Sequence, residues 1–159
     1  MEYDLVFYID ADCLIQSETV LEGFQKMIKN EESQLAAAPD VFPPDNFNAG
    51  VLVIRPSMST FKDLLSKIDT LPAYDGGDTG FLNSYFPDWF DSGTRLPYTF
   101  NCQRILQIFT QKRTDGYWNE VERKKIKILH YSSSPKPWVQ TICQADQIWK
   151  QNYMEYVMK

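Results

Sequence analysis

The apolar run Leu5-Val6-Phe7-Tyr8-Ile9 stops abruptly at Asp10-Ala11-Asp12. Aromatic and β-branched residues in so short a stretch predict a buried strand. Where that strand stops, two carboxylates one residue apart place two hard oxygen ligands at the edge of a sheet. Such a donor pair suits Mg²⁺ or Mn²⁺ held against a phosphate. A strand of this kind normally lies centrally in an α/β sheet, with earlier strands beside it. Here it begins almost at once, so an N-terminal portion of the fold is expected to be missing from the sequence.

The remaining chain alternates helical and strand patterns. Ser17 to Asn30 predicts a helix capped by Ser17, with Val20, Leu21, Phe24, Met27 and Ile28 on one face. Leu35 to Ala38 is a short apolar run stopped by Pro39, and Val41 to Asn48 carries two prolines and predicts a loop. Gly50 to Arg55 reads as a strand. Ser57 to Ile68 reads as an amphipathic helix, with Phe61, Leu64, Leu65 and Ile68 at helical spacing. Pro72 to Gly77 forms a turn before a short helix from Asp78 to Phe86. Pro87 to Tyr98 is irregular, and Thr99 to Thr110 is partly helical. Lys125 to Tyr131 alternates as a strand, and Gln144 to Met158 forms a terminal helix. This alternation predicts the α/β class.

Several function classes are disfavoured by composition. With a net charge of −5, the chain lacks the basic excess of a nucleic-acid-binding surface. The dense basic stretch Arg123-Lys124-Lys125 with Lys127 reads as a solvated loop before a strand. No apolar run approaches the ~20 residues of a membrane span, and the acidic start does not resemble a signal peptide. Cys13, Cys102 and Cys143 are odd in number, with spacing that fits neither a zinc site nor a disulfide framework. Free thiols in a reducing compartment are expected. Cytoplasm is the expected location, or the Golgi if a missing N-terminus carries an anchor.

Four further features carry chemistry, each with a plainer alternative. His130, the only histidine, ends a strand; it is either a structural residue or a nitrogen ligand beside Asp10 and Asp12. A mixed oxygen and nitrogen set favours Mn²⁺ over Mg²⁺. Lys136 lies between Pro135 and Pro137, which fix the backbone around it. It is either a solvated lysine or a positive charge for a leaving phosphate. Asn48 precedes Ala49-Gly50, either as a turn residue or as a donor to a polar ligand. Asp75-Gly76-Gly77-Asp78 is either a turn with a helix cap or a pair of acceptors for sugar hydroxyls.

Together these blocks resemble the glycogenin-like family 8 of glycosyltransferases. The matching residues are Tyr8 to Asp12, Phe47 to Val53, Asp75 to Asn83, Leu96 to Asn101, and His130-Tyr131 leading to Lys136-Pro137-Trp138. The resemblance implies an α/β, A-type glycosyltransferase fold, a Rossmann-like mixed sheet flanked by helices and N-terminally truncated. On this reading residues 1–159 form one partial nucleotide-sugar catalytic domain. Asp10, Asp12 and His130 resemble the family's Mn²⁺ ligands, and Lys136 its diphosphate-binding lysine. Asn48, Asp75, Gly76, Gly77 and Asp78 resemble residues around the donor sugar. Asn101 matches an asparagine near the acceptor side, while Asp78 and Lys136 take the catalytic positions.

The implied activity is retaining transfer of a hexose from a UDP-sugar, first UDP-glucose, to a hydroxyl of a carbohydrate, protein or small molecule. A second copy of the chain is a possible partner. Two departures stand out: Thr79 where glycogenins commonly have glutamine, and Ser133 where the family's loop usually carries glycine. The competing readings are an inactive partner-binding module and a metal-dependent phosphohydrolase or nucleotidyltransferase built on Asp10 and Asp12.

Overall fold

The computed structural model describes residues 3–28, 33–110 and 117–158. In chain order its elements are β1 (Val6–Ile9), β2 (Cys13–Ile15), α1 (Val20–Met27), β3 (Leu35–Pro39), β4 (Phe47–Ile54), α2 (Met58–Lys67), α3 (Asp78–Tyr85), β5 (Cys102–Gln103), α4 (Ile105–Thr110), α5 (Tyr117–Arg123), β6 (Ile128–His130) and α6 (Gln144–Val157). Single 3₁₀ turns occupy Pro87–Phe90 and Tyr98–Phe100. The chain divides into two compact units: Met1–Ile9 with Leu21–Pro97, and Asp10–Val20 with Tyr98–Lys159. The α/β expectation holds, with the described strands gathered into two three-stranded sheets.

In the first unit β4 lies between β1 and β3, antiparallel to both. β4 is buried along most of its length, with the consecutive residues Val51, Leu52 and Val53 all buried, so both faces are covered. That is why its sequence reads as a continuous apolar run. Phe47, Ala49 and Leu52 pack with Leu35, Ala37 and Trp89 in one core cluster. The edge strand β1 differs from expectation. Val6 and Tyr8 are 39% and 43% exposed, while Phe7 packs its ring 5.1 Å from Phe24. Its residues alternate, as in a sheet covered on one side.

Helix α1 starts later than Ser17 predicts. The Ser17 hydroxyl accepts from the Thr19 N–H, a local turn that competes with helix initiation. Val20, Phe24 and Ile28 are buried at helical spacing, whereas Lys29 and Asn30 lie outside the described residues. Ser57 caps α2 by accepting from the Thr60 N–H. The apolar stripe of α2 is present but exposed at Phe61, Leu65 and Ile68.

In the second unit β6 is central, antiparallel to β2 and parallel to β5. Ile128, Leu129, His130 and Tyr131 are all buried, so the alternation expected over Lys125 to Tyr131 gives way to a strand covered on both faces. Leu129, Tyr131, Cys102, Trp118, Val121, Cys143 and Ala145 form one core. Helix α5 carries Trp118 and Val121 into it, and Arg123 of the expected basic loop is the last residue of that helix. Lys127 donates to the Ser17 and Thr19 hydroxyls. Cys13, Cys102 and Cys143 are free thiols. No described helix is long and apolar enough to cross a membrane.

Candidate functional site

The Asp10-Ala11-Asp12 segment is a turn, closed by the Cys13 N–H donating to the Asp10 carbonyl at 3.1 Å. β2 then runs against β6 with Cys13 opposite His130. The Tyr131 N–H donates to the Asp12 carbonyl at 2.9 Å. This register brings residues more than a hundred positions apart into one group. His130 Nε2 lies 3.3 Å from Asp12 Oδ1 and 3.8 Å from Asp10 Oδ2. The Lys136 ammonium donates to Asp12 Oδ2 at 2.5 Å and to the Tyr131 carbonyl at 2.7 Å.

Asn101 sets the orientation of the imidazole. Its Oδ1 lies 2.8 Å from His130 Nδ1, and both residues are buried. An amide oxygen only accepts, so an Nδ1–H donates to it, and Nε2 is the ring nitrogen turned toward the two carboxylates. In this structure Asn101 lies behind the imidazole. Its side chain is fully buried and holds the histidine in place.

Burial raises the Asp12 pKa, but the hydrogen bond from Lys136 and the charges of His130 and Lys136 outweigh it, leaving the carboxyl below its ordinary value. The group therefore stays ionised near neutrality, as a cation ligand must. Asp12, Cys13 and His130 offer ligand atoms within 4.8 Å of one another. Cys13 is the member the sequence reading left out, although it directly follows Asp12. Burial, with the Asp12 and Asp10 charges, pushes its thiol pKa far up, so it remains a neutral thiol. That leaves the Asp12 carboxylate and one imidazole, with Asp10 Oδ2 3.8 Å from the same imidazole nitrogen, a set that fits a hard or borderline divalent cation.

The remaining expected site residues belong to the first unit. Asp75 is exposed, and its Oδ1 accepts from the Gly77 and Gly80 N–H groups at 2.9 and 3.0 Å. The N-cap residue of α3 is Gly77, and Asp75, ahead of it, supplies a side-chain acceptor to the Gly80 N–H of the first turn. Gly76 takes φ +69°, which only glycine adopts readily. A Cβ on Gly80 would sit 2.3 Å from Asp75 Oδ1 and 2.7 Å from the Tyr74 nitrogen, so the close approach of turn and helix requires glycine there too. Asp78 is exposed in the first turn of α3 and accepts from the Thr79 N–H. Asn48 accepts from the Gly50 N–H through Oδ1, and its amide nitrogen lies 3.4 Å from Asp40 Oδ2.

Two residues outside the expected site join these blocks. The Thr79 hydroxyl accepts from the Ala49 N–H. Asn83 accepts from the Phe47 N–H and donates to the Phe47 and Thr79 carbonyls. The structure thus unites Asp10, Asp12, Asn101, His130 and Lys136 in one unit, and Asn48 with Asp75 to Asp78 in the other.

The profile of glycosyl transferase family 8 matches residues 1–141. Glycogenin-1 of Mus musculus is 34% identical over 139 residues, covering 86% of this chain and 38% of its own length. Inositol phosphorylceramide glucuronosyltransferase 1 of Arabidopsis thaliana is 31% identical over 157 residues, 86% of this chain and 26% of that protein. The chain therefore spans well under half the length of these relatives. Among solved structures, the glycosyltransferase GlyE of Streptococcus pneumoniae TIGR4 superposes with a TM-score of 0.71 at 24% identity, over 95% of this chain and 40% of that one. The galactosyltransferase LgtC, in complex with donor and acceptor sugar analogs, gives 0.61 at 20% identity, over 95% and 61%. These likenesses show the A-type glycosyltransferase fold.

Proposed function

The chain belongs to glycosyl transferase family 8, and from that premise we propose that it is part of the catalytic domain of a retaining, Mn²⁺-dependent hexosyltransferase using a UDP-sugar. UDP-glucose is the first donor to test. A single observation carries the reading: Asp12 is shared by an imidazole nitrogen and an ammonium, at 3.3 and 2.5 Å. A carboxylate between a nitrogen ligand and an ammonium suits the junction of a metal and a diphosphate.

Asp10, Asp12 and His130 would hold the cation. Bound there, it supplies Lewis-acid stabilisation of a departing diphosphate. Asn101 keeps Nε2 of His130 directed at that position. Lys136 shares the Asp12 carboxylate and can instead neutralise charge developing on the leaving phosphate. Asp75, with Gly76 and Gly77, shapes the turn ahead of α3; the exposed Asp78 carboxylate, and the Asn48 amide in exchange for its Asp40 contact, would meet donor-sugar hydroxyls. The acceptor is a hydroxyl group. No strong protein base is required, in keeping with a single histidine.

The test is UDP release from UDP-glucose by the purified chain, with and without Mn²⁺, followed by product analysis. Mn²⁺-dependent release with hexose on a hydroxyl supports the proposal. A folded chain that releases no UDP from any UDP-hexose refutes it for this chain and leaves the binding-module reading. UMP release would point to phosphohydrolase chemistry.

A further inference from the structure

A buried ion pair behind the site has no part in the chemistry above. Arg104 and Asp146 have fully buried side chains, with Nη1 donating to Asp146 Oδ1 at 2.9 Å. The other end of the guanidinium serves one loop residue: Nη2 donates to the Ser133 carbonyl at 2.8 Å and to the Ser133 hydroxyl at 2.7 Å. Asp146 Oδ2 accepts from the Ile142 and Cys143 N–H groups at 2.8 and 3.1 Å. The Arg104 main chain donates to the His130 carbonyl at 2.9 Å. One residue therefore touches β6, the start of α6, and the loop that leads to Lys136.

We propose that Arg104 is a positioning residue for Lys136: its guanidinium, seated on Asp146, fixes Ser133 and so places the Lys136 ammonium on Asp12. Only Ser134 and Pro135 separate Ser133 from Lys136, and proline limits the freedom of that link. The planar fork of arginine is suited to reaching a carboxylate and a loop residue at once, which the point charge of lysine does not reproduce. A buried pair is a poor device for stability alone, because well-packed apolar groups often do as well. Its value here lies in geometry, where a small displacement of a reacting group carries a large kinetic penalty. Ser133, standing where the family's loop usually has glycine, adds a hydroxyl as a second acceptor for the same nitrogen.

The proposal rests on Lys136 binding the diphosphate, so the experiment separates the two ideas. Mn²⁺ affinity without nucleotide, UDP affinity with saturating Mn²⁺, and amide exchange over residues 132–140 are measured for wild type, Ser133→Ala, Arg104→Lys, Lys136→Ala and Ser133→Ala/Lys136→Ala. Ser133→Ala keeps the carbonyl contact and the ion pair, and remains informative if Arg104→Lys fails to fold. We expect UDP to weaken about tenfold in Ser133→Ala and more in Arg104→Lys, as for loss of a charge-assisted hydrogen bond. Mn²⁺ affinity should stay unchanged. In the double variant Ser133→Ala should add nothing to Lys136→Ala, because the two act through one ammonium.

Independent, multiplying losses overturn the proposal, as do equal losses of Mn²⁺ and UDP affinity. If wild type binds no UDP, the diphosphate role of Lys136 fails. Loop exchange then decides the positioning claim: an increase of about tenfold in Ser133→Ala supports it, because the loop has lost a tether, and unchanged exchange overturns it.

Discussion

Asp10-Ala11-Asp12 and Asp75-Gly76-Gly77-Asp78 look alike in sequence, as two close carboxylates at a turn, yet the structure uses them differently. In the second pair Asp75 accepts backbone N–H groups and Asp78 accepts from its neighbour Thr79. Their partners are local and main-chain, which makes a turn and a helix start. In the first pair Asp12 is met by His130 and Lys136, from 118 and 124 positions away. Its partners are side chains with ligand and charge chemistry. Acid spacing is therefore a weak guide to function, and what long-range packing brings against each acid is a strong one.

Removing the distant partners should have the largest effect. His130→Ala and Lys136→Ala are each expected to cut Mn²⁺-dependent UDP release by about 100-fold or more, as for loss of a preorganised charge-stabilising group. Asp78→Ala should spare Mn²⁺ affinity, and a loss of metal binding in that variant would break the contrast. Asn101→Leu should weaken Mn²⁺ binding about 10–100-fold, the usual cost of losing a metal ligand's orienting partner. Titration calorimetry reads this directly, and unchanged affinity would remove Asn101 from the site.

The local pair predicts stability effects. Gly80→Ala must displace the Tyr74 backbone and is expected to cost about 1–3 kcal/mol, as overpacking does. Asp75→Ala should cost about 1 kcal/mol, typical for a lost side-chain acceptor at a helix start. Asp78→Ala should cost a few tenths of a kcal/mol, the scale of an exposed charge at a helix N-terminus. Urea unfolding reads all three. An Asp78→Ala cost equal to that of Asp75→Ala would contradict the view that Asp75, with its two backbone N–H donors, is the stronger support of this turn.

A pH effect sharpens the same comparison. Burial opposes ionisation of Asp146, but Arg104 and the Ile142 and Cys143 N–H groups prevail and hold its pKa below the ordinary value. A lowered native pKa gives stability that is fully present above the unfolded carboxyl's value of about 4 and lost as pH falls through the native value. Urea midpoints between about pH 6 and pH 3 should therefore fall more steeply for wild type than for Asp146→Asn.

Much of this was legible in the chain. The strand at Gly50 to Arg55, a strand within Lys125 to Tyr131 and helix α2 follow from pattern, and motif singled out Asp10, Asp12, His130 and Lys136, whose side chains lie together in the structure. β2 and β5 did not, because two or three residues carry no periodicity and form only by pairing with β6. The exposure of alternate β1 residues was hidden because apolar residues occupy both faces. The burial of Asn101 against His130 was not legible, because sequence reports type and not depth. The Arg104–Asp146 pair left no local trace, since it joins residues 42 positions apart.

Mn²⁺ binding by electron paramagnetic resonance, in the presence of UDP, tests the central claim most directly. The comparison is wild type against Asp12→Asn, His130→Ala and Asp75→Asn. The account predicts one bound Mn²⁺ in wild type and in Asp75→Asn, and loss of the bound signal in the other two variants. Binding that survives both Asp12→Asn and His130→Ala, or that is lost only in Asp75→Asn, would contradict it.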